Sequence, residues 1–141
     1  MGTKFRSSCP ISSALDILGD KWTLLIIRDI MFGKKSTFKD FSSSGEKIAS
    51  GILANRLAKL ETLGILHKGK LPDNRKTVIY SLTQKGIELL PIIVDMILWS
   101  DNNLGDHVDE KMRELAKKIR LDKEAFVNNY TGHLKSLMAA L

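Results

Sequence analysis

Across Gly64 the spacing of apolar residues changes from helical to extended, and this junction narrows the folds open to a 141-residue chain. Upstream, Leu53, Leu57 and Leu60 fall within about 60° of one another on a helical wheel. They predict a helix over about 50–63 with one buried stripe, ended by Gly64. Downstream, "ILHKGKL" and "TVIYSLT" read as extended runs, the second rich in β-branched and aromatic residues. "PDNRK" joins them, with Pro, Asp and Asn suited to a turn. A hairpin over about 65–83 therefore follows the helix directly. The start of that helix is bare: Ala49, Ser50, Gly51 and Ala54 are all small. Its outer face, through Gly51, Asn55, Ala58 and Thr62 with Lys59 beside them, carries no acid, and Glu61 lies to the side.

Three shorter elements precede this junction. "CPISSALDILG" predicts a helix with Pro10 at its start, Ile11, Leu15 and Leu18 on one face, and Gly19 as the stop. Asp20 is placed to cap a second helix through Met31, ended by Gly33 and apolar almost all round. "KKSTFKDFSSSG" reads as a turn, a short extended piece and a brief helix carrying Phe38 and Phe41 inward. After the hairpin an amphipathic helix is expected from Gln84 to about Asn103 through Leu89, Leu90, Ile93, Ile97 and Trp99. Pro91 should kink it or mark a late start. Beyond lie two helical patterns. Val108, Met112, Leu115 and Ile119 follow Asp106 as candidate cap; Phe126, Tyr130, Leu134, Leu137, Met138 and Leu141 follow Asp122.

Charge is divided along the chain. Residues 1–85 hold 15 Lys and Arg against 7 Asp and Glu; residues 86–141 hold 7 against 9. A basic working surface in the first part and a packing role for the second fit this split. A merely solvated basic surface fits it as well. A lone Cys9 leaves no intramolecular disulfide, and no apolar run reaches signal-peptide or membrane-span length, so a cytoplasmic protein is expected. "MGTKFRS" meets the short N-myristoylation pattern through Gly2. His67, His107 and His133 are scattered, the last two expected in separate C-terminal helices. No HExxH, GxSxG, phosphate loop or GxGxxG occurs, and no Cys/His cluster has metal spacing. Neither an enzyme nor a metal or other cofactor is expected.

Helix, helix, short helix, long helix and hairpin follow one another in the order of a winged helix-turn-helix. The expected fold is mainly α (α+β), with a two-stranded β-wing and a C-terminal helical extension. In that fold the long helix enters a major groove of double-stranded DNA with its N-terminal residues toward base edges. Ser50, Gly51 and Ala54 would let helix end and phosphates approach closely. Asn55 would read an adenine or bond a phosphate. Arg56 and Lys59 would flank the helix toward the backbone, and Arg75 and Lys76 would carry the wing to the adjacent minor groove or its phosphates. Two other readings stay open: a winged-helix module that docks protein, and a regulator answering to a small-molecule ligand.

"CPISSALDILGDKWTLLIIRDI", "IASGILANRLAKLETLGIL", "YSLTQKG" and "LLPIIVDMILWSD" resemble the HxlR-type, MarR-like family of bacterial winged-helix transcriptional regulators. The resemblance covers about Cys9 to Asn103. It implies residues 1–104 as a DNA-binding and dimerisation domain and 105–141 as an extension beyond the family core. It further implies a cytoplasmic homodimer, paired through the first helix and the helix after the wing, on a roughly palindromic operator. Half-sites one turn apart, about 34 Å, are the geometric expectation. Several family members sense oxidants or electrophiles through a Cys before the Pro of the first helix, and Cys9 stands at that position. Arg6 and the helix start are features that activate a thiol. The wing departs from the family in having one Pro where many relatives have more.

Overall fold

The computed structural model describes residues 4–139. The Gly2 lipidation pattern and the expected inward Leu141 lie outside the described residues. The helices are α1 (Pro10–Leu18), α2 (Thr23–Gly33), α3 (Phe38–Ser42), α4 (Ser50–Thr62), α5 (Gln84–Ile87), α6 (Leu90–Asn103), α7 (Glu110–Leu121) and α8 (Lys123–Ala139). Between α4 and α5 run strands β1 (Leu66–Leu71) and β2 (Asn74–Leu82), an antiparallel pair. The chain divides into two compact units at Thr83/Gln84, so α6, assigned by sequence to the DNA-binding domain, groups with the C-terminal helices.

The first unit is built around the α4 stripe. Leu53, Leu57 and Leu60 are buried with Ile26, Ile27 and Met31 of α2 and Phe41 of α3. Phe38, expected inward, is exposed, because α3 has only five residues and buries one side. Thr37 and Asp40 form a reciprocal capping box at the start of α3. Helix α4 ends in a Schellman motif: Ile65 N–H donates to Leu60 O at 2.9 Å and Gly64 N–H to Glu61 O at 3.0 Å, with Gly64 at φ +73°. Buried Ile65 then starts the hairpin, and Thr83 closes it by donating its N–H back to Ile65 O. The extended piece before α3 touches the sheet where Tyr80 N–H donates to Ser36 O at 2.7 Å.

Two local expectations are corrected. The hairpin turn is Pro72–Asp73 alone; Asn74, Arg75 and Lys76 belong to β2, because Leu71 pairs with Asn74 across a bulge. Helix α2 ends at Gly33, but its left-handed residue is Lys34 at φ +53°. The apolar face of α1 is open in the single chain: Ile11 is 72% and Leu15 54% exposed.

In the second unit Pro91 sits in the first turn of α6, which gives the late helix start. Leu90, Ile93 and Val94 of α6 are buried, as are Ala116 and Ile119 of α7 and Leu134 of α8. Trp99, expected inward, is 60% exposed and joins Ile92 and Met96 on one open face. Asp109 rather than Asp106 caps α7, accepting from Met112 N–H at 2.9 Å, which leaves His107 in the preceding turn rather than in a helix. Asp122 caps α8 through Ala125 N–H at 3.0 Å. Charge fastens α7 to α6, with Arg120 reaching Asp101 at 2.7 Å and Asn102 Oδ1 at 2.9 Å. Leu137 and Met138 of α8, expected to pack, are exposed near the chain end.

Candidate nucleic-acid interface

Helix α4 presents Ser50, Gly51, Ala54 and Asn55 to solvent on its first turns. None of them is needed by the core beneath, which rests on Leu53, Leu57 and Leu60. A Cβ at Gly51 would meet nothing within 4 Å, so no contact in the protein requires glycine there. Gly51→Ala is therefore expected to stabilise the helix by about 1 kcal/mol. If glycine serves close approach to DNA, the same change weakens DNA binding. A rise in Tm together with a rise in Kd checks both halves, and a higher Tm with unchanged Kd would remove Gly51 from the interface.

The cations of α4 are held inside the unit. Arg56 Nε donates to Asp20 Oδ1 at 3.1 Å, and Arg56 Nη1 donates to Asn55 Oδ1 at 2.6 Å. Lys59 Nζ donates to the Asp16 carbonyl at 3.2 Å. Asp20 also accepts from Trp22 N–H, Thr23 N–H and the Thr23 hydroxyl; it braces the start of α2 from two residues before the N-cap, which is Trp22 and not Asp20 as expected. Burial pushes its carboxyl upward, but bonds from the Thr23 hydroxyl, Trp22 N–H and Arg56 outweigh this and hold it at about 2. With one acceptor site of Asn55 occupied by Arg56, its amide protons remain as outward donors.

Arg75 and Lys76 are exposed, and neither forms an ion pair among the described residues. Both lie in the bulged start of β2, between the Leu71–Asn74 and Lys70–Val78 pairs. The structure thus brings Ser50, Gly51, Ala54 and Asn55 together on one surface, keeps Arg56 and Lys59 at its edge, and places Arg75 and Lys76 exposed in the bulge near the tip of the wing. Cys9 is exposed at the start of α1, its N–H donating to Ser7 Oγ at 3.2 Å. Arg6, expected to activate the thiol, is instead paired with Asp16, which supplies a carboxylate where Cys9 supplies none. The N–H and side chain of Arg6 hold the Asp16 carboxyl below its ordinary value, the backbone bond first.

A polar cluster not anticipated from the sequence anchors the turn before α4. Arg28 of α2 donates Nη1 to Glu46 Oε2 at 2.7 Å and Nη2 to Glu46 Oε1 at 2.9 Å. Arg28 Nε and Nη2 also reach Asp29 Oδ1, at 3.0 and 2.7 Å. Asp29 and Ser44 are buried, their side chains 3.1 Å apart, and Lys35 Nζ lies 3.6 Å from Asp29 Oδ2. The one signal for it was an Arg–Asp pair inside the apolar run "LLIIRDIMF". The neighbouring depression, lined in part by Trp22, Phe41 and Ile48, holds about 10 Å³, room for about one water and not for an effector. Among the described residues no group of His, Cys, Asp and Glu could hold a metal ion.

The Arg28 hydrogen bonds hold the Glu46 carboxyl at about 2, burial opposing and Ser44 assisting. A folded-state value below the ordinary 4.5 means that this stabilisation is complete above about pH 4.5 and lost as pH falls toward 2. The fall in Tm between those pH values is expected to be shallower in Glu46→Gln than in the unaltered protein. Parallel curves would show that the pair adds nothing to acid resistance.

Known proteins share this fold. The family model described as HxlR-like helix-turn-helix matches residues 17–108. The chain is similar to the HTH-type transcriptional regulator YodB of Bacillus subtilis (strain 168), 38% identical over 109 residues that cover 75% of this chain and 96% of YodB. The structure of quinone-bound YodB from B. subtilis matches at 34% identity and a TM-score of 0.55, covering 67% of this chain and 98% of that one. The redox regulator HypR in its oxidised form matches at 32% identity and a TM-score of 0.59, covering 67% and 97%. Matched through both helices of the helix-turn-helix and the wing, the chain belongs to the HxlR-like helix-turn-helix family and is a transcriptional regulator of that winged-helix type.

Proposed function

We propose that the protein works as a cytoplasmic homodimer that binds a pseudo-palindromic operator sequence-specifically. Helix α4 lies in the major groove, with Ser50, Gly51, Ala54 and Asn55 toward base edges and phosphates. Arg56 and Lys59 contact backbone from the helix flank. Arg75 and Lys76, exposed in the bulge near the tip of the wing, reach the neighbouring minor groove or its phosphates. The observation that carries this reading is the bare, acid-free outer start of α4 immediately followed by a wing with unpaired cations. The outward amide donors of Asn55 suit a phosphate or a base acceptor better than the donor-plus-acceptor pattern of adenine.

Two open apolar faces support pairing of subunits: Ile11 and Leu15 on α1, and Ile92, Met96 and Trp99 on α6. Residues 1–104 would then form the DNA-binding and dimerisation part, with 105–141 as an extension fastened to α6 by Arg120 and Lys123. Among the described residues no helix is long and apolar enough to cross a membrane, which agrees with a cytoplasmic site of action. Cys9 is our candidate sensor of oxidants or electrophiles. It is exposed at the start of α1, and the similar proteins include one solved with quinone and one solved oxidised.

A gel shift on DNA from upstream of the protein's own gene, against scrambled DNA, tests this across a salt series with and without a mild thiol oxidant. Binding should prefer the upstream DNA and weaken steeply with salt. Arg75→Ala should make the salt slope shallower by about one. A change of binding on oxidation that Cys9→Ser abolishes would assign the sensor. Release by a small molecule that survives Cys9→Ser would replace thiol sensing with ligand sensing.

A further inference from the structure

The cluster around Arg28 joins two parts of the first unit that have different duties. One side is α2, buried in the core through Ile26, Ile27 and Met31. The other is the turn that delivers the chain into α4. The forked pair between Arg28 and Glu46 closes this connection, and the buried Ser44 hydroxyl, 3.2 Å from Arg28 Nη2 and 3.0 Å from Glu46 Oε1, braces it. The next residue, Lys47, is left-handed at φ +58°, a conformation that lysine rarely adopts, and its N–H donates to Ser44 O at 3.0 Å. Only Ile48 and Ala49 then separate it from Ser50, the first residue of α4. The place of Glu46 therefore sets where and at what angle α4 begins.

The charges of the cluster balance, with Arg28 and Lys35 against Asp29 and Glu46, so the cluster offers no net attraction to phosphate. Its influence on DNA binding must be geometric. Base-edge hydrogen bonds demand close placement of the helix, whereas phosphate attraction tolerates sliding and tilting. We propose that Arg28 and Glu46 are positioning residues that hold α4 in the pose needed to tell one DNA sequence from another, and that they leave general attraction to DNA untouched. The proposal rests on the reading of α4 as the base-contacting helix.

The test uses the full chain and two duplexes: one recovered by selection from a random library on the unaltered protein, and a scrambled duplex of the same composition. Glu46→Gln keeps the shape and removes the charge; Arg28→Lys keeps the charge and removes the fork. Both are measured well below their own Tm, so that partial unfolding does not contribute. Each variant is expected to lower the ratio of selected to scrambled affinity about tenfold. Affinity for scrambled DNA should stay within about twofold, with an unchanged salt slope. Equal losses on both duplexes, or an unchanged ratio in both variants, would overturn the positioning role alone. No preference for any selected sequence by the unaltered protein would overturn the reading of α4 itself, and the proposal with it.

Discussion

Leu57→Ala is expected to destabilise the first unit by about 2–5 kcal/mol and to abolish DNA binding near its new, lower Tm. Leu57 is 1% exposed and lies mid-stripe on α4, between the equally buried Leu53 and Leu60. The substitution leaves a cavity in a core that also holds Ile27 and Phe41, both almost wholly buried. A loss of that size is a large fraction of the roughly 5–15 kcal/mol that stabilises an ordinary domain. Urea denaturation followed by circular dichroism measures it. A loss below about 1 kcal/mol would mean that the stripe does not anchor α4 as described.

Ala54→Glu is expected to do the reverse, sparing the fold and removing the function. Ala54 is exposed, so a longer side chain meets solvent, and stability should change by no more than about 0.5 kcal/mol. In the proposed complex the same carboxylate faces phosphates. Like charges brought together cost several kcal/mol, so affinity should fall about 100-fold or more. Ala54→Lys separates charge from bulk: it should keep or raise binding to scrambled DNA while losing preference for the operator. Undiminished binding by Ala54→Glu would place DNA on another surface and favour a protein-docking role for α4.

What could be read from the residues was whatever depends on local pattern. Helix α4 runs from Ser50 to Thr62 against an expectation of about 50–63, because the leucine spacing and Gly64 mark its stripe and its end. Asp122 caps the helix it precedes and Asp20 accepts from the first N–H of α2, since a carboxylate bonding to nearby free N–H groups needs no distant partner. What escaped depends on which faces meet. Trp99 and Leu15 obey helical spacing as well as any core residue, yet both are open, because period marks a face without naming its cover. The left-handed residue before α4 is Lys47, although Gly45 stands two positions away and carries no such φ. Holding lysine there costs about 1–2 kcal/mol, which local propensity would have avoided. The Arg28–Glu46 pair that accompanies it spans 18 residues, a separation that no periodic pattern reports. Likewise Arg75 and Lys76 looked like turn residues because they follow Pro72 and Asp73; strand register, set by the Leu71–Asn74 pairing, moved them into β2.

Selection of random duplex DNA on the purified protein, followed by sequencing of the retained molecules, bears most directly on the central claim. A dimeric reader with one α4 per subunit should enrich an inverted repeat whose half-sites lie about 34 Å apart, one turn of the duplex. That enrichment should vanish with Ala54→Glu. Failure to enrich any sequence over successive rounds, under salt conditions where the protein still retains DNA, would contradict sequence-specific recognition by α4 and the wing.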